Sequence, residues 1–187
     1  MPTAVSSSQG KSYSKKEGTN SPDRSTIEGG PLPSNLEAEQ ALLAACIVDA
    51  SGEVLGRCME QSIGPDHFYH PNHQLIFGAL LELHRENKLA DEILLADKLS
   101  SLGQLELVGG QSALIALTER IDSTGYATHW LSVVKEKALL RNCIRVAFEM
   151  IDGANDLQGE VDDFLSNMEQ RVCSLSDEQS IRSSIPL

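Results

Sequence analysis

The chain has 187 residues, a formal net charge of −12 and an aromatic content of only 4%. Such an acidic protein lacks the excess of Lys and Arg that gives general affinity for phosphate backbones, and it has few aromatic side chains for stacking on bases. The four cysteines form no CxxC pair, and no apolar run approaches the roughly 20 residues of a membrane span. We therefore expect a cytoplasmic protein with no membrane association and with reduced, mostly buried cysteines.

Residues 1–30 differ in composition from the rest of the chain. They are rich in serine and contain few large apolar side chains, so we expect a disordered tail. The tail carries four basic and three acidic residues, which leaves −13 on the remainder. We expect a folded domain over 31–176, with a head at about 34–124 and a hairpin at about 126–175. Residues 177–187 are expected to be the start of a linker or a disordered end.

The predicted elements of the head are all helical. Ser34 and Glu37 have the spacing of a capping box, and apolar periodicity predicts a first helix from about Leu36 to Val48. The same periodicity predicts four more helices, at about 53–61, 72–87, 91–99 and 111–121. Because no segment alternates with period two, the predicted fold class is all-α, a compact multi-helix head followed by a long antiparallel helical hairpin.

The last third of the chain predicts the hairpin. A long apolar-periodic run from about 128 to 151 is followed by a turn at 153–159 and a second helix from Val161 to about Val172. A hairpin has two faces, and if the head covers one, the other is free for a partner. The candidate self-association surface comprises Leu139, Leu140, Ile144, Phe148, Phe164, Met168 and Val172.

Three histidines form the strongest candidate metal site. His67, His70 and His73 lie at spacing three, and three imidazoles could bind zinc. However, the helical zinc motif with histidines at i and i+4 and a glutamate between them is absent. Capping or solvated histidines are the favoured interpretation, and we expect no metal site.

Other polar features also favour plain interpretations. Lys137, Arg141 and Arg145 form a helical stripe that could contact nucleic acid, but the acidic second hairpin helix favours salt bridges instead. Gly109-Gly110 could hold a phosphate at a helix N-terminus, but no cation follows closely, which favours a simple chain break. We expect no catalytic or cofactor-binding residues.

Four segments, in order, resemble the N-terminal domain of DnaB-type replicative DNA helicases. They are NLEAEQALL at 35–43, HFYHPNHQLIF at 67–77, GQLELVGG at 103–110 and VVKEKALLR at 133–141. The positions that carry the family motifs are Glu37, Glu39, Phe68, Tyr69, Pro71, His73, Phe77, Gly109, Gly110 and Arg141.

The resemblance implies a function through protein surfaces. In this family the domains pair through their hairpins and form a collar, a trimer of dimers, which assembles the hexamer and docks primase or a helicase loader. ATP and Mg²⁺ act in the RecA-like motor domain, and DNA is contacted only indirectly by the collar. We expect a chain that stops at Leu187, with no Walker motif after the domain, to be no enzyme by itself.

Three alternatives remain open. The chain could be a stand-alone regulator that co-assembles with a full-length helicase. It could be a small metalloprotein built on His67, His70 and His73, or a DNA-binding module that uses Lys137, Arg141 and Arg145.

Overall fold

The structure, a computed structural model, describes residues 26–27, 30–121 and 123–180, and only the backbone of 26, 27, 30 and 176–180. The chain divides into two compact units, Met1–Leu32 and Pro33–Leu187. Most of the predicted disordered tail, residues 1–25 and 28–29, lies outside the described residues, as does the C-terminal end, 181–187.

The first unit contains a short pair of strands. β1 (Thr26–Ile27) pairs antiparallel with β2 (Gly30–Pro31). The sequence predicts no strand in this part of the chain, and the structure differs at Thr26, Ile27 and Gly30. A strand of two residues is too short to show the period-two alternation on which strand prediction depends.

Every regular element among the described residues of the second unit is a helix, which confirms the predicted all-α class. Its α-helices are α1 (Leu36–Val48), α2 (Glu53–Glu60), α3 (Pro71–Arg85), α4 (Glu92–Ser101), α5 (Gly110–Thr118), α6 (Ala127–Asn155) and α7 (Val161–Ser180). Short 3-10 turns occupy Pro65–His67 and Thr124–Tyr126. No helix in the described part of the chain is long and apolar enough to cross a membrane.

α1 is the central helix of the head. It contacts α2, α3, α5 and α6, and its residues from Leu42 to Ile47 are all buried. A helix that is apolar on every side must be surrounded by other elements to remove those side chains from water. The remaining core comes mainly from α3, α4 and α5, including Phe77, Leu80, Leu95, Leu99 and Leu114.

The start of α1 differs from the expected capping box. The N-cap is Asn35, whose side-chain Oδ1 accepts a hydrogen bond from the backbone N–H of Ala38 at 3.0 Å. Ser34 precedes the cap and Glu37 is exposed, so the predicted Ser34–Glu37 pair was wrong. Asparagine is as good an N-cap as serine, and spacing alone does not choose between neighbours.

The hairpin also differs from prediction in its turn. Gly153 lies inside α6, and α7 continues to Ser180, so the turn is confined to 156–160. A Cβ at position 153 would lie 2.7 Å from Cε2 of Phe164, which shows that the Phe164 ring packs directly on this glycine. Gly153 therefore forms a contact between the two helices, and its prediction as a turn residue was wrong, because glycine is also common in turns.

Candidate interaction surface on the helical hairpin

The two halves of α6 have different surroundings. Ala127, Leu131, Val134 and Ala138 are buried in the first half, whereas Val146 is the buried residue of the second half. α6 contacts α1, α2 and both 3-10 turns, and α7 packs on α6. The head therefore covers the first half of α6, and the second half forms the hairpin with α7.

Side chains from both helices hold the hairpin together. Phe164 packs on Gly153, Arg171 forms a salt bridge with Glu149, and Met168 is 7% exposed. These contacts follow one another along the length of the two antiparallel helices. The internal side of the hairpin is therefore already filled by the chain itself.

The outside of the hairpin is unusually apolar. Eight large apolar side chains of this region are each 38–58% exposed. We call them the hairpin surface: Leu140, Phe148, Met150, Ile151, Leu157, Val161, Leu165 and Val172. A concentration of exposed apolar side chains in one part of a domain is typical of sites that bind other proteins.

The structure divides the seven residues of the predicted surface into three groups. Leu140, Phe148 and Val172 are exposed on the hairpin surface. Leu139, Ile144 and Phe164 are partly buried. Met168 is buried inside the hairpin, so its assignment to a partner-facing surface was wrong.

Five members of the hairpin surface were missing from the predicted set, namely Met150, Ile151, Leu157, Val161 and Leu165. Val161 and Leu165 are four residues apart, so helical spacing places them on one face of α7. That spacing could have identified this pair. It could not show that the other apolar face, with Phe164 and Met168, is the one packed on α6.

Arg141 connects the hairpin to the head. Its Nη1 donates to the Pro33 carbonyl at 2.9 Å, and its Nη2 donates to the His67 carbonyl at 2.7 Å. The guanidinium also lies 5.8 Å from the centroid of the Tyr69 ring, within range of a cation–π interaction. Arg141 is half-buried, and this burial lowers its pKa from the usual value, although nearby Glu39 opposes the shift.

Glu39 organises the same region from α1. It is 1% exposed, and its carboxylate accepts from the backbone N–H groups of Tyr69 at 2.7 Å and His70 at 3.3 Å. Its Oε2 lies 2.6 Å from Nδ1 of His73. Burial alone raises the pKa of Glu39, but the hydrogen bonds from His73, Tyr69 and His70 outweigh burial and hold it below the ordinary value.

The three histidines have separate structural roles. His73 is buried against Glu39, and His70 is the N-cap of α3, where its Nδ1 accepts from the Asn72 N–H at 3.2 Å. The Nδ1 of His67 accepts from the Gly64 N–H at 3.1 Å. Among the described residues, no three His, Cys, Asp or Glu side chains are placed to hold a metal ion.

The remaining motif positions shape the head. Phe68 and Phe77 are buried with ring centroids 4.8 Å apart, and Pro71 is the first residue of α3. Gly109 and Gly110 have positive φ values of 99° and 74°, which side chains disfavour, and they turn the chain into α5. All of these positions support packing or chain reversal.

The predicted basic stripe is already engaged within the chain. Arg141 binds backbone carbonyls, Lys137 pairs with Glu136 at 3.5 Å, and Arg145 donates to Asn142 at 3.2 Å. The nearby Lys135 donates to the Gln61 carbonyl at 3.4 Å. These side chains do not present an unbroken row of free cations to a phosphate backbone.

Two of the four cysteines depart from the expected burial. Cys46 and Cys58 are buried, and the hydrogen bond between the two thiols, together with burial, raises the pKa of Cys46. Cys143 and Cys173 are exposed on the hairpin. Composition predicts burial on average, but it does not show which side of α6 or α7 faces solvent.

Comparison with known proteins places this arrangement in a family. Residues 31–136 match the sequence model of the DnaB-like helicase N terminal domain. The chain is 30% identical over 155 residues to the replicative DNA helicase DnaB of Leifsonia xyli subsp. xyli, covering 83% of this chain and 33% of that protein. It is also 30% identical over 148 residues to the replicative DNA helicase DnaC of Bacillus subtilis, covering 79% and 32%.

Solved structures agree with the sequence matches. The N-terminal domain of DnaB helicase from Mycobacterium tuberculosis is similar with a TM-score of 0.69 and 26% identity, covering 76% of this chain and 99% of that one. A DnaB-like replicative helicase studied for its interactions with primase has the same fold, with a TM-score of 0.57 and 23% identity, covering 73% and 31%. The chain spans about a third of the length of the first two full-length relatives. The helical head, the hairpin and the sequence match over more than half of the chain together show that it belongs to the family of DnaB-like helicase N-terminal domains.

Proposed function

We propose that this chain is the interaction and oligomerisation domain of a replicative DNA helicase, pairing through its hairpin to build the collar of a hexamer. The observation that carries this proposal is the hairpin surface, with eight large apolar side chains exposed on a hairpin whose inner side is already packed. Burying one leucine-sized side chain contributes roughly 1.5–3 kcal/mol, so a few such residues can drive pairing. A second copy of the chain offers an equivalent apolar surface.

The collar also docks primase or a helicase loader in this proposal. One structural relative, a DnaB-like replicative helicase, is described together with its interactions with primase. The domain acts in the cytoplasm and reaches DNA only through the assembled helicase. It needs no cofactor, because it works by binding proteins, and ATP with Mg²⁺ serves the motor domain of the parent family.

Sedimentation equilibrium of the full chain tests self-association. Ile151→Ser and Leu165→Ser should each weaken it at least tenfold, because both side chains are 55% exposed on the hairpin surface. Leu107→Ser is the matched control, since Leu107 is 64% exposed but lies in the head between α4 and α5. A wild-type protein that stays monomeric at high concentration would contradict the proposal, as would equal effects of all three variants.

Primase docking needs a separate measurement. We expect the C-terminal domain of the host primase to bind the wild-type chain in isothermal titration calorimetry. Lysozyme, a small basic protein, replaces the primase domain as the control for non-specific attraction to an acidic chain. If primase and lysozyme gave the same heat changes, the chain would not bind primase specifically. The proposal of self-association would be unaffected.

A further inference from the structure

Four consecutive residues, 67–70, have their backbone held by side chains from three different helices. The His67 carbonyl accepts from Arg141 of α6, and the Phe68 carbonyl accepts from Nε2 of Gln74 of α3 at 2.8 Å. The N–H groups of Tyr69 and His70 donate to Glu39 of α1. This segment has irregular backbone, so side chains supply the partners that a helix would otherwise provide.

Arg141 is the member of this set that belongs to the hairpin. Its two hydrogen bonds reach two separate segments of the head, the residue Pro33 before α1 and the 67–70 segment. Two hydrogen bonds between α6 and the head lie nearer the start of the helix: Thr128 accepts from Arg57, and Lys135 donates to the Gln61 carbonyl. Arg141 lies further along α6 than Thr128 and Lys135.

A small tilt of α6 at Arg141 moves the far end of the hairpin by several ångströms. α6 continues for 14 residues from Arg141 to its end at Asn155, a length of about 21 Å at 1.5 Å per residue. A tilt of about 10° at Arg141 would move that end by roughly 4 Å. Small changes at this contact are therefore amplified where the hairpin surface lies.

We propose that Arg141 is a positioning residue that fixes the angle between the hairpin and the head, by binding the Pro33 and His67 carbonyls with one planar guanidinium. This inference rests on the proposed function, since the angle decides the direction in which the hairpin surface meets a partner. The guanidinium holds its two donors in a fixed plane, whereas a lysine ammonium is a point charge without that geometry. Charge alone is therefore not sufficient at this position.

Pulsed electron–electron double resonance on the full chain tests the angle directly. Nitroxide labels are placed at two exposed positions, Ser100→Cys near the end of α4 and Asn155→Cys at the end of α6. The other two exposed cysteines are removed by Cys143→Ser and Cys173→Ser. Cys46 and Cys58 are buried and can stay. Labelled protein is diluted with an excess of unlabelled protein, so that only distances within one chain contribute.

The wild type should give one narrow distance distribution, and Arg141→Lys should widen it by about 4 Å or more, as expected for a tilt of about 10°. Arg145→Lys is the matched control, because Arg145 is exposed and contacts Asn142 of its own helix, and it should leave the distribution unchanged. An unchanged distribution in Arg141→Lys, with normal helicity by circular dichroism, would overturn the proposal.

The wild-type protein by itself also tests the role of Arg141. A broad distribution in the wild type would overturn the proposal without any variant, even if Arg141→Lys fails to fold. Self-association is measured separately by sedimentation, so a monomeric protein with a narrow distance would contradict the proposed function and leave the role of Arg141 intact.

Discussion

Glu39 is a carboxylate on the central helix of the head, and it is nearly inaccessible to water. A buried charge is tolerated only when hydrogen bonds replace its lost hydration. Glu39 receives these from two backbone N–H groups and from His73. Its side chain therefore holds the 67–70 segment against α1. Removing it would leave several buried hydrogen-bond donors without an acceptor.

Glu39→Ala should destabilise the fold by about 3 kcal/mol, because breaking a buried hydrogen-bonded pair leaves the partners without acceptors. Urea denaturation followed by circular dichroism measures the change. Glu37→Ala is the control, since Glu37 is exposed on the same helix and should change stability by less than about 0.5 kcal/mol. Equal effects of the two variants would contradict the role of Glu39.

The lowered pKa of Glu39 also predicts a pH dependence. A carboxylate whose pKa is lower in the folded than in the unfolded state contributes its full stabilisation at pH values above its ordinary pKa of 4.5. That contribution is lost as the pH falls through the folded pKa. The stability difference between wild type and Glu39→Gln should therefore shrink between about pH 7 and pH 3. A difference that stays constant across this range would argue against an ionised Glu39 in the folded state.

At the scale of elements, the hairpin depends on close packing of α6 and α7. Phe164 lies against the backbone of Gly153, and the glycine persists in a helix interior where it costs about 1 kcal/mol relative to alanine. The ring contact offsets this cost. The two helices approach closely here because position 153 has no side chain.

Gly153→Val should destabilise the protein by about 1–3 kcal/mol, because the branched side chain would overlap the Phe164 ring. Ala154→Val is the matched control, since it adds the same β-branched group to the same helix at an exposed position. Thermal unfolding by circular dichroism compares the two. If Ala154→Val destabilised the protein as much, helix propensity rather than the Phe164 contact would explain the effect.

The whole molecule combines an apolar hairpin surface with a net charge of −12. Like charges repel when two copies approach, and salt screens this repulsion while apolar burial is little affected. Raising the salt from about 0.1 M to 1 M shortens the Debye length from about 10 Å to about 3 Å, so self-association should strengthen. Sedimentation at both salt concentrations measures this, and dissociation at high salt would indicate an interface held by ion pairs instead.

The sequence by itself determined the helical class, the approximate helices and the family, because apolar periodicity and short motifs are local properties of the chain. It did not determine which face of the hairpin is outside. Both faces of α7 carry apolar residues, and periodicity does not show which of them packs on α6. The tertiary structure decided that Met168 lies inside and Leu165 outside. It also joined Arg141 to Pro33, 108 residues away, a contact that only the packing of α6 against the head creates.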